Sequence, residues 1–295
     1  MRIVFVGTVR FSEKMLCKLI DINAAIVGVV TGPNTGANTD YADLAPLCVN
    51  HDIDYLITKD INNSDSTGWI REKNADVIFC FGWSRLLGEK ILNSAKIGVV
   101  GFHPTALPKN RGRHPLIWTL VLGLEKTAST FFLMDAEADS GDILSQKSIS
   151  VSERDNAQTL YEKVEQTAES QIFDLVVALQ SGEYRRIKQD ENQATYWRKR
   201  STKDGIIDWR MSAEAIHNLV RGLSRPYPGA VFYIKNETYK LWQSRPITMD
   251  DMNNVEPGKV MDVNESGHAL IKCGEGCIEL IEVEPCVKLE KGMYL

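Results

Sequence analysis

Apolar positions in the first half of the chain gather into short continuous runs separated by segments of helical spacing. The runs at 3–7, 25–31, 55–57 and 77–81 contain almost no polar residue. This predicts strands buried on both faces rather than strands with one wet face. Between them, residues 12–20, 41–51 and 66–73 read as helices, with Ser12 placed to cap the first. Residues 32–38 are rich in Pro, Gly and Asn and predict a loop. Further apolar runs at 97–102, 129–134 and 143–149 continue the series, the last with alternating polarity. A long helix follows over 155–180, with apolar residues at 160, 164, 168, 172, 175, 176 and 179. Strands alternating with helices predict an α/β domain built on a doubly wound, Rossmann-like sheet.

The pattern changes after residue 181. Residues 182–200 are polar, mix Arg185, Arg186, Lys188, Lys199 and Arg200 with acids, and read as a solvated linker. Beyond it come a helix over 213–223 and short strands at 230–234, 239–242, 259–263, 268–272 and 277–283, the first two joined by a turn at 235–238. That spacing predicts a small β-barrel of the oligonucleotide-binding type, a fold name that carries no function by itself. The expected organisation is an α/β domain over 1–185, a linker over 186–203 and an OB-like domain over 204–295.

Composition narrows the class. Of 295 residues, 43% are hydrophobic and 25% charged, with no apolar run of membrane-spanning length. The opening residues read as a first strand, not a leader, so a cytoplasmic location is expected. Six cysteines lie scattered among apolar residues, as reduced, buried side chains would. Cys273 and Cys277 flank Gly-Glu-Gly, which reads as a hairpin turn; with no second pair nearby, no metal is expected. The Gly7-Thr8-Val9-Arg10 segment is a weak phosphate-loop signal and no Gly-x-Gly-x-x-Gly occurs, so NAD is not inferred. A net charge of −5 disfavours extended nucleic-acid contact.

Candidate chemistry concentrates in residues 98–142. An apolar strand runs into His103 and is stopped by Pro104, placing an imidazole at a strand end, where ligands of open α/β sheets collect. Asp139 follows a second apolar run and precedes Ser140-Gly141-Asp142. A carboxylate and an imidazole at two strand ends can meet, the first charging or orienting the second.

His103-Pro-Thr-Ala-Leu-Pro108, Arg111-Gly112-Arg113, Pro115-Leu116-Ile117-Trp118 and Asp139-Ser140-Gly141-Asp142 together resemble the folate-dependent formyltransferase family, which includes methionyl-tRNA formyltransferases and sugar N-formyltransferases. Lys203 to Trp209 and Arg225-Pro-Tyr-Pro-Gly-Ala230 resemble its C-terminal region, so the likeness covers nearly the whole chain. The resemblance implies transfer of a formyl group from N10-formyltetrahydrofolate to an amine, without a metal. It implies that His103 handles the proton or steadies the oxyanion, and that Asp139 sets its charge and orientation. It further implies a folate donor site at Trp83, Ser84, Arg85 and Leu86, bordered by Asp139 and Asp142. Thr8, Arg10, Thr105, Lys109 and Arg113 are expected to hold the acceptor through phosphates or hydroxyls.

One position departs from the family pattern. The catalytic Asn expected two residues before the His is Gly101 here. Losing such an oxyanion donor typically costs about 2.7–4 kcal/mol of transition-state stabilisation. His114, in the neighbouring loop, is the candidate substitute, as is a backbone N–H that a glycine lets approach. His51, His217 and His268 lie in helix or strand contexts and read as structural. Residues 204–295 hold 10 Lys/Arg against 14 Asp/Glu, a poor match for tRNA phosphates. The leading expectation is therefore a sugar N-formyltransferase acting on a nucleotide-linked amino sugar in surface glycan synthesis, dimeric as such members commonly are. A methionyl-tRNA formyltransferase, a folate hydrolase and a folate-binding protein weakened by Gly101 are the alternatives.

Overall fold

The computed structural model describes residues 1–36, 40–249 and 254–295; residues 37 and 38 of the expected loop lie outside them. In chain order the strands are β1 (Arg2–Val6), β2 (Ala25–Thr31), β3 (Tyr55–Ile57), β4 (Val77–Cys80), β5 (Gly98–His103), β6 (Arg111–Gly112), β7 (Lys126–Leu133), β8 (Ile143–Ser150) and β9 (Tyr196–Trp197), followed by β10 (Ala230–Ile234), β11 (Glu237–Ile247), β12 (Val260–Val263), β13 (Ala269–Lys272) and β14 (Cys277–Glu284). The helices are α1 (Arg10–Asp21), α2 (Ala45–Asn50), α3 (Ser64–Glu72), α4 (Glu89–Leu92), α5 (Pro115–Val121), α6 (Ala157–Ser181) and α7 (Ala213–Gly222). Two compact units divide the chain: Met1–Pro115, Thr127–Ile149 and Glu162–Trp197 in the first, Leu116–Lys126, Ser150–Tyr161 and Arg198–Leu295 in the second. No helix among the described residues is long and apolar enough to cross a membrane.

The first unit holds a seven-stranded sheet in the order β3-β2-β1-β4-β5-β7-β8. Strands β3, β2, β1, β4 and β5 run parallel, and β7 joins β5 antiparallel in the register Gly101 with Phe132 and His103 with Thr130. Alternation across the pleat sends Val4, Val6, Ile78, Cys80 and Val99 to one face, where Ile61, Ile70, Leu87 and Ile91 cover them. The other face carries aromatic rings: Phe11 stacks on Phe102 at 4.2 Å, Phe81 meets Phe131 edge-on at 5.4 Å, and Phe5 meets Phe81 at 5.6 Å. Burying each such ring contributes about 1.5–3 kcal/mol, which makes the strand ends a stiff platform for loops.

Local sequence shifts some boundaries from the expected ones. Helix α1 begins at Arg10, and Ser12 lies inside its first turn rather than capping it. Its hydroxyl donates to the Phe81 carbonyl (2.6 Å) and accepts from the Thr8 and Val9 N–H groups (both 3.2 Å). The hydroxyl thereby ties the ends of β1 and β4 together. The helix expected over 41–51 shortens to α2, because Pro46 can occupy only the first turn and Asp43 accepts from the Ala45 N–H (3.0 Å). Strand β5 extends one residue further than its apolar run, so His103 is its last residue.

The second unit holds an antiparallel sheet in the order β10-β11-β14-β13-β12. Ile216, Leu219 and Val220 of α7 share its core with Trp209, Phe232, Leu241, Ile271, Ile278 and Leu280. The described residues show the expected short strands paired into one antiparallel sheet. Its edges are covered by neighbouring chain: the Ile207 N–H donates to the Val231 carbonyl (2.7 Å) and the Val260 N–H to the Met293 carbonyl (2.8 Å). Burial holds the Cys273 thiol up at about 12 and raises Cys277 as well, the state of inert, buried thiols.

Candidate active site

His103 closes β5 in a pocket that leaves it only 5% exposed. Its Nε2 lies 2.9 Å from the Asn110 carbonyl, which can only accept, so Nε2 carries a proton. The other ring nitrogen, Nδ1, faces Asp139 Oδ2 at 3.8 Å, beyond hydrogen-bond length but within ion-pair reach. A proton taken up at Nδ1 therefore brings a positive charge that Asp139 opposes. The two residues singled out by sequence, 36 positions apart, are adjacent in space. Asp139 is itself fixed, because Oδ2 accepts the Gly112 N–H at 2.9 Å.

The backbone around this pair is unusual. Asn110, His114 and Asp139 have φ of 65°, 56° and 61°. Such left-handed conformations are tolerated by Asn and Asp and costly for most other side chains. Gly112, at φ 108°, could not carry a side chain at all: a Cβ there would lie 2.4 Å from the Trp197 carbonyl oxygen. That close approach is the β6–β9 pairing, Arg111 with Tyr196 and Gly112 with Trp197.

Residues 186–197 thus do more than the solvated linker expected of them. Arg111 is fully buried and forks onto Glu191 (2.7 and 2.8 Å) while also meeting the Tyr196 hydroxyl (2.7 Å) and Gln189 Oε1 (2.8 Å). The hydrogen bonds that Arg111 donates to Glu191 and Tyr196 raise the guanidinium above its usual range, against the opposing pull of burial. Gln189 is 5% exposed, and its Nε2 donates to the carbonyls of Asp139 (2.8 Å) and Gly141 (2.7 Å). The amide thereby links Arg111 to the loop carrying the carboxylate. Neither Gln189 nor Asn110 was visible as a site residue, because each acts through a partner dozens of residues away or through backbone.

Gly101 lies on the same face of β5 as His103 and is buried. A Cβ there would meet Met134 Cγ at 2.8 Å and Phe132 Cζ at 2.9 Å. The space an Asn side chain would need is filled by the ring of the cross-strand neighbour, Phe132, and by Met134. Next to the imidazole the molecule therefore presents an apolar wall in place of an amide.

A cleft opens at the carboxyl ends of β1, β2 and β4, lined by Thr8, Gly32, Tyr41, Lys59, Trp83 and Arg85 among others. It gathers one residue expected at the acceptor, Thr8, with three expected at the donor, Trp83, Ser84 and Arg85. The indole N–H of Trp83 is buried with no hydrogen-bond partner among the described residues. Leu86 is 67% exposed. Arg113 Nη1 donates to the Ser84 carbonyl (3.1 Å), joining the loop after β4 to the loop before α5, which also carries His114. Arg10 and Lys109 are exposed, outside the cleft. Thr105 is fully buried, with its hydroxyl on the Lys109 carbonyl (3.1 Å). Asp142 accepts from Arg186 Nε at 3.1 Å.

A mostly parallel sheet with a His–Asp pair at the end of β5 and a cleft at the ends of β1, β2 and β4 is the architecture of an α/β enzyme. The chain belongs to the formyl transferase family: residues 1–177 match the formyl transferase domain and residues 199–291 its C-terminal domain. It is 30% identical over 289 residues to a methionyl-tRNA formyltransferase of Caldanaerobacter subterraneus subsp. tengcongensis, covering 96% of this chain and 92% of that protein. Its fold is shared with an N-formyltransferase from Helicobacter canadensis solved with folinic acid and dTDP-3-aminofucose (TM-score 0.71, 17% identity, 94% of this chain and 98% of that one). It is shared equally with WlaRD, a sugar 3N-formyl transferase solved with dTDP and 5-N-formyl-THF (TM-score 0.70, 18% identity, 97% of this chain and 99% of that one).

Proposed function

We propose that this formyltransferase moves the formyl group of N10-formyltetrahydrofolate onto the amine of a nucleotide-linked amino sugar. The neutral amine attacks the formyl carbon, the C–N bond forms, and the bond from the formyl carbon to N10 breaks. His103 Nδ1 takes the proton that leaves the amine, Asp139 holds the resulting imidazolium in place, and the proton is then given to N10 as its bond to the formyl carbon breaks, releasing tetrahydrofolate. Folate bound in solved relatives of the same fold supports this donor. Its pterin is assigned to the backbone of Ser84, Arg85 and Leu86, with Asp139 and Asp142 at its border. Thr8 and Arg113 lie on the loops that would border the acceptor.

The observation that carries the sugar reading is charge. Residues 204–295, which resemble the family's C-terminal region, hold 10 Lys/Arg against 14 Asp/Glu, where phosphate contacts would need a positive surface. The competing acceptor, methionyl-tRNA, is favoured by the 30% identity to a methionyl-tRNA formyltransferase. Mass spectrometry of the amine product decides between them. The protein is incubated with N10-formyltetrahydrofolate and either methionyl-tRNA or a panel of nucleotide-linked amino sugars. N-formylation of a sugar alone supports the proposal, and efficient formylation of methionyl-tRNA replaces it.

A further inference from the structure

We propose that the cleft at the ends of β1, β2 and β4 receives the nucleoside diphosphate end of the acceptor, with the base against Trp83 and the phosphates facing Lys59 and Arg85. The inference rests on the sugar reading above and deepens it. It assigns the side chains of Trp83 and Arg85 to the acceptor, leaving only the backbone beside them to the donor.

The fold opens this cleft. From β1 the chain winds outward to β2 and β3, then returns to β4 and β5 on the other side. The loops leaving β1 and β4 are pinned to each other, Thr8 Oγ1 donating to the Gly82 carbonyl at 3.1 Å; they form one wall of the cleft and the residues after β2 and β3 the other, at the strand ends where open α/β sheets take ligands. Gly32 keeps its floor clear. A Cβ at this position would approach Thr8 Cγ2 to 3.2 Å, the Thr58 carbonyl oxygen to 3.5 Å and Trp83 Cζ3 to 3.7 Å, so a larger side chain fills the space where these walls converge.

The lining selects the ligand class. Among the described residues it includes two cations, two aromatic rings and several hydroxyls, and no Asp or Glu. In a chain of net charge −5 this is a local positive spot. Lys59 and Arg85 are exposed and form no ion pair with any described residue, so their charges are available to an anion. A flat ring beside two free cations fits a base joined to a diphosphate.

Distance fits as well. Strands β1 and β5 are two places apart in the sheet, with β4 between them, a separation of about 10 Å. A hexose diphosphate bridges such a gap, bringing a sugar amine to His103 while the base remains in the cleft. The hydrogen bond from Arg113 to the Ser84 carbonyl ties the two ends of that path together.

The donor's p-aminobenzoyl-glutamate tail is also an aromatic ring with negative charges, so the test separates the two. UDP, dTDP and GDP are titrated calorimetrically into the wild type and into Lys59→Ala, Trp83→Ala and Gly32→Val, and 5-formyltetrahydrofolate is titrated in parallel. The expected result is that at least one nucleoside diphosphate binds the wild type without any sugar attached. Lys59→Ala and Trp83→Ala then weaken it about tenfold or more, Gly32→Val blocks it, and folate binding stays within twofold. Variants that keep nucleotide affinity, or that weaken folate instead, overturn this assignment while leaving the sugar reading intact. If the wild type binds folate but no nucleoside diphosphate, the sugar reading fails and this inference falls with it. Lys59→Ala changes an exposed side chain, so a misfolded Gly32→Val leaves the test in place.

Discussion

At the scale of single residues, catalysis turns on His103, Asp139 and Gly101. Replacing His103 by Ala removes the proton acceptor and is expected to lower turnover by about 10²–10⁴-fold while folate binding persists. Asp139→Asn keeps an oxygen to accept the Gly112 N–H but removes the charge facing Nδ1. Single-turnover kinetics should show slower chemistry in an intact fold, with a smaller loss than for His103→Ala. Restoring the family amide by Gly101→Asn is expected to fail. The new side chain collides with Phe132 and Met134 and should cost about 1–3 kcal/mol in denaturant unfolding without raising kcat. A gain in turnover from this change alone would show that the apolar wall yields easily.

At the scale of elements, function depends on segments that the apolar pattern could not connect. The strand ends bearing His103 and Asp139 were legible because strong apolar runs stop there at Pro104 and a Gly turn. The β6–β9 pairing was not, because two-residue strands leave no periodic signal and the partners lie 85 residues apart. Gln189 shows the consequence. Its one amide joins buried Arg111 to the Asp139 loop, so Gln189→Ala is expected to destabilise the protein by about 1–3 kcal/mol and to slow catalysis together. Gln189→Glu should be worse, because it turns a donor facing two carbonyls into an acceptor. Thermal unfolding of both variants checks the order. Helix α7 supplies a pH test. Burial pushes His217, which meets the Ser244 hydroxyl at 3.0 Å, below the usual imidazole range. Its unfolded form therefore binds a proton first, and stability should fall as pH drops from roughly 7.5 to 5. His217→Gln should flatten that part of the pH–stability curve.

At the scale of the whole molecule, the class was written in the chain more plainly than the acceptor. Continuous apolar runs read out the parallel sheet because those strands are buried on both faces. The second unit's sheet was visible as alternation, yet its strand order was not, because pairing order depends on long-range contacts that local polarity does not encode. The same holds for the cleft, whose lining comes from the ends of separate strands and their loops. Electrostatics belongs to this scale too: with a net charge of −5, any tRNA binding should be weak and should lack the steep salt dependence of a phosphate-gripping surface. Filter binding at two salt concentrations checks this.

Formyl transfer from folate to a nucleotide-linked amino sugar is tested by tetrahydrofolate release from N10-formyltetrahydrofolate, followed with and without a panel of such sugars. Release is expected only when one of the amino sugars is present, and is expected to be lost in His103→Ala. Equal release without any acceptor, or release driven by methionyl-tRNA alone, would contradict it.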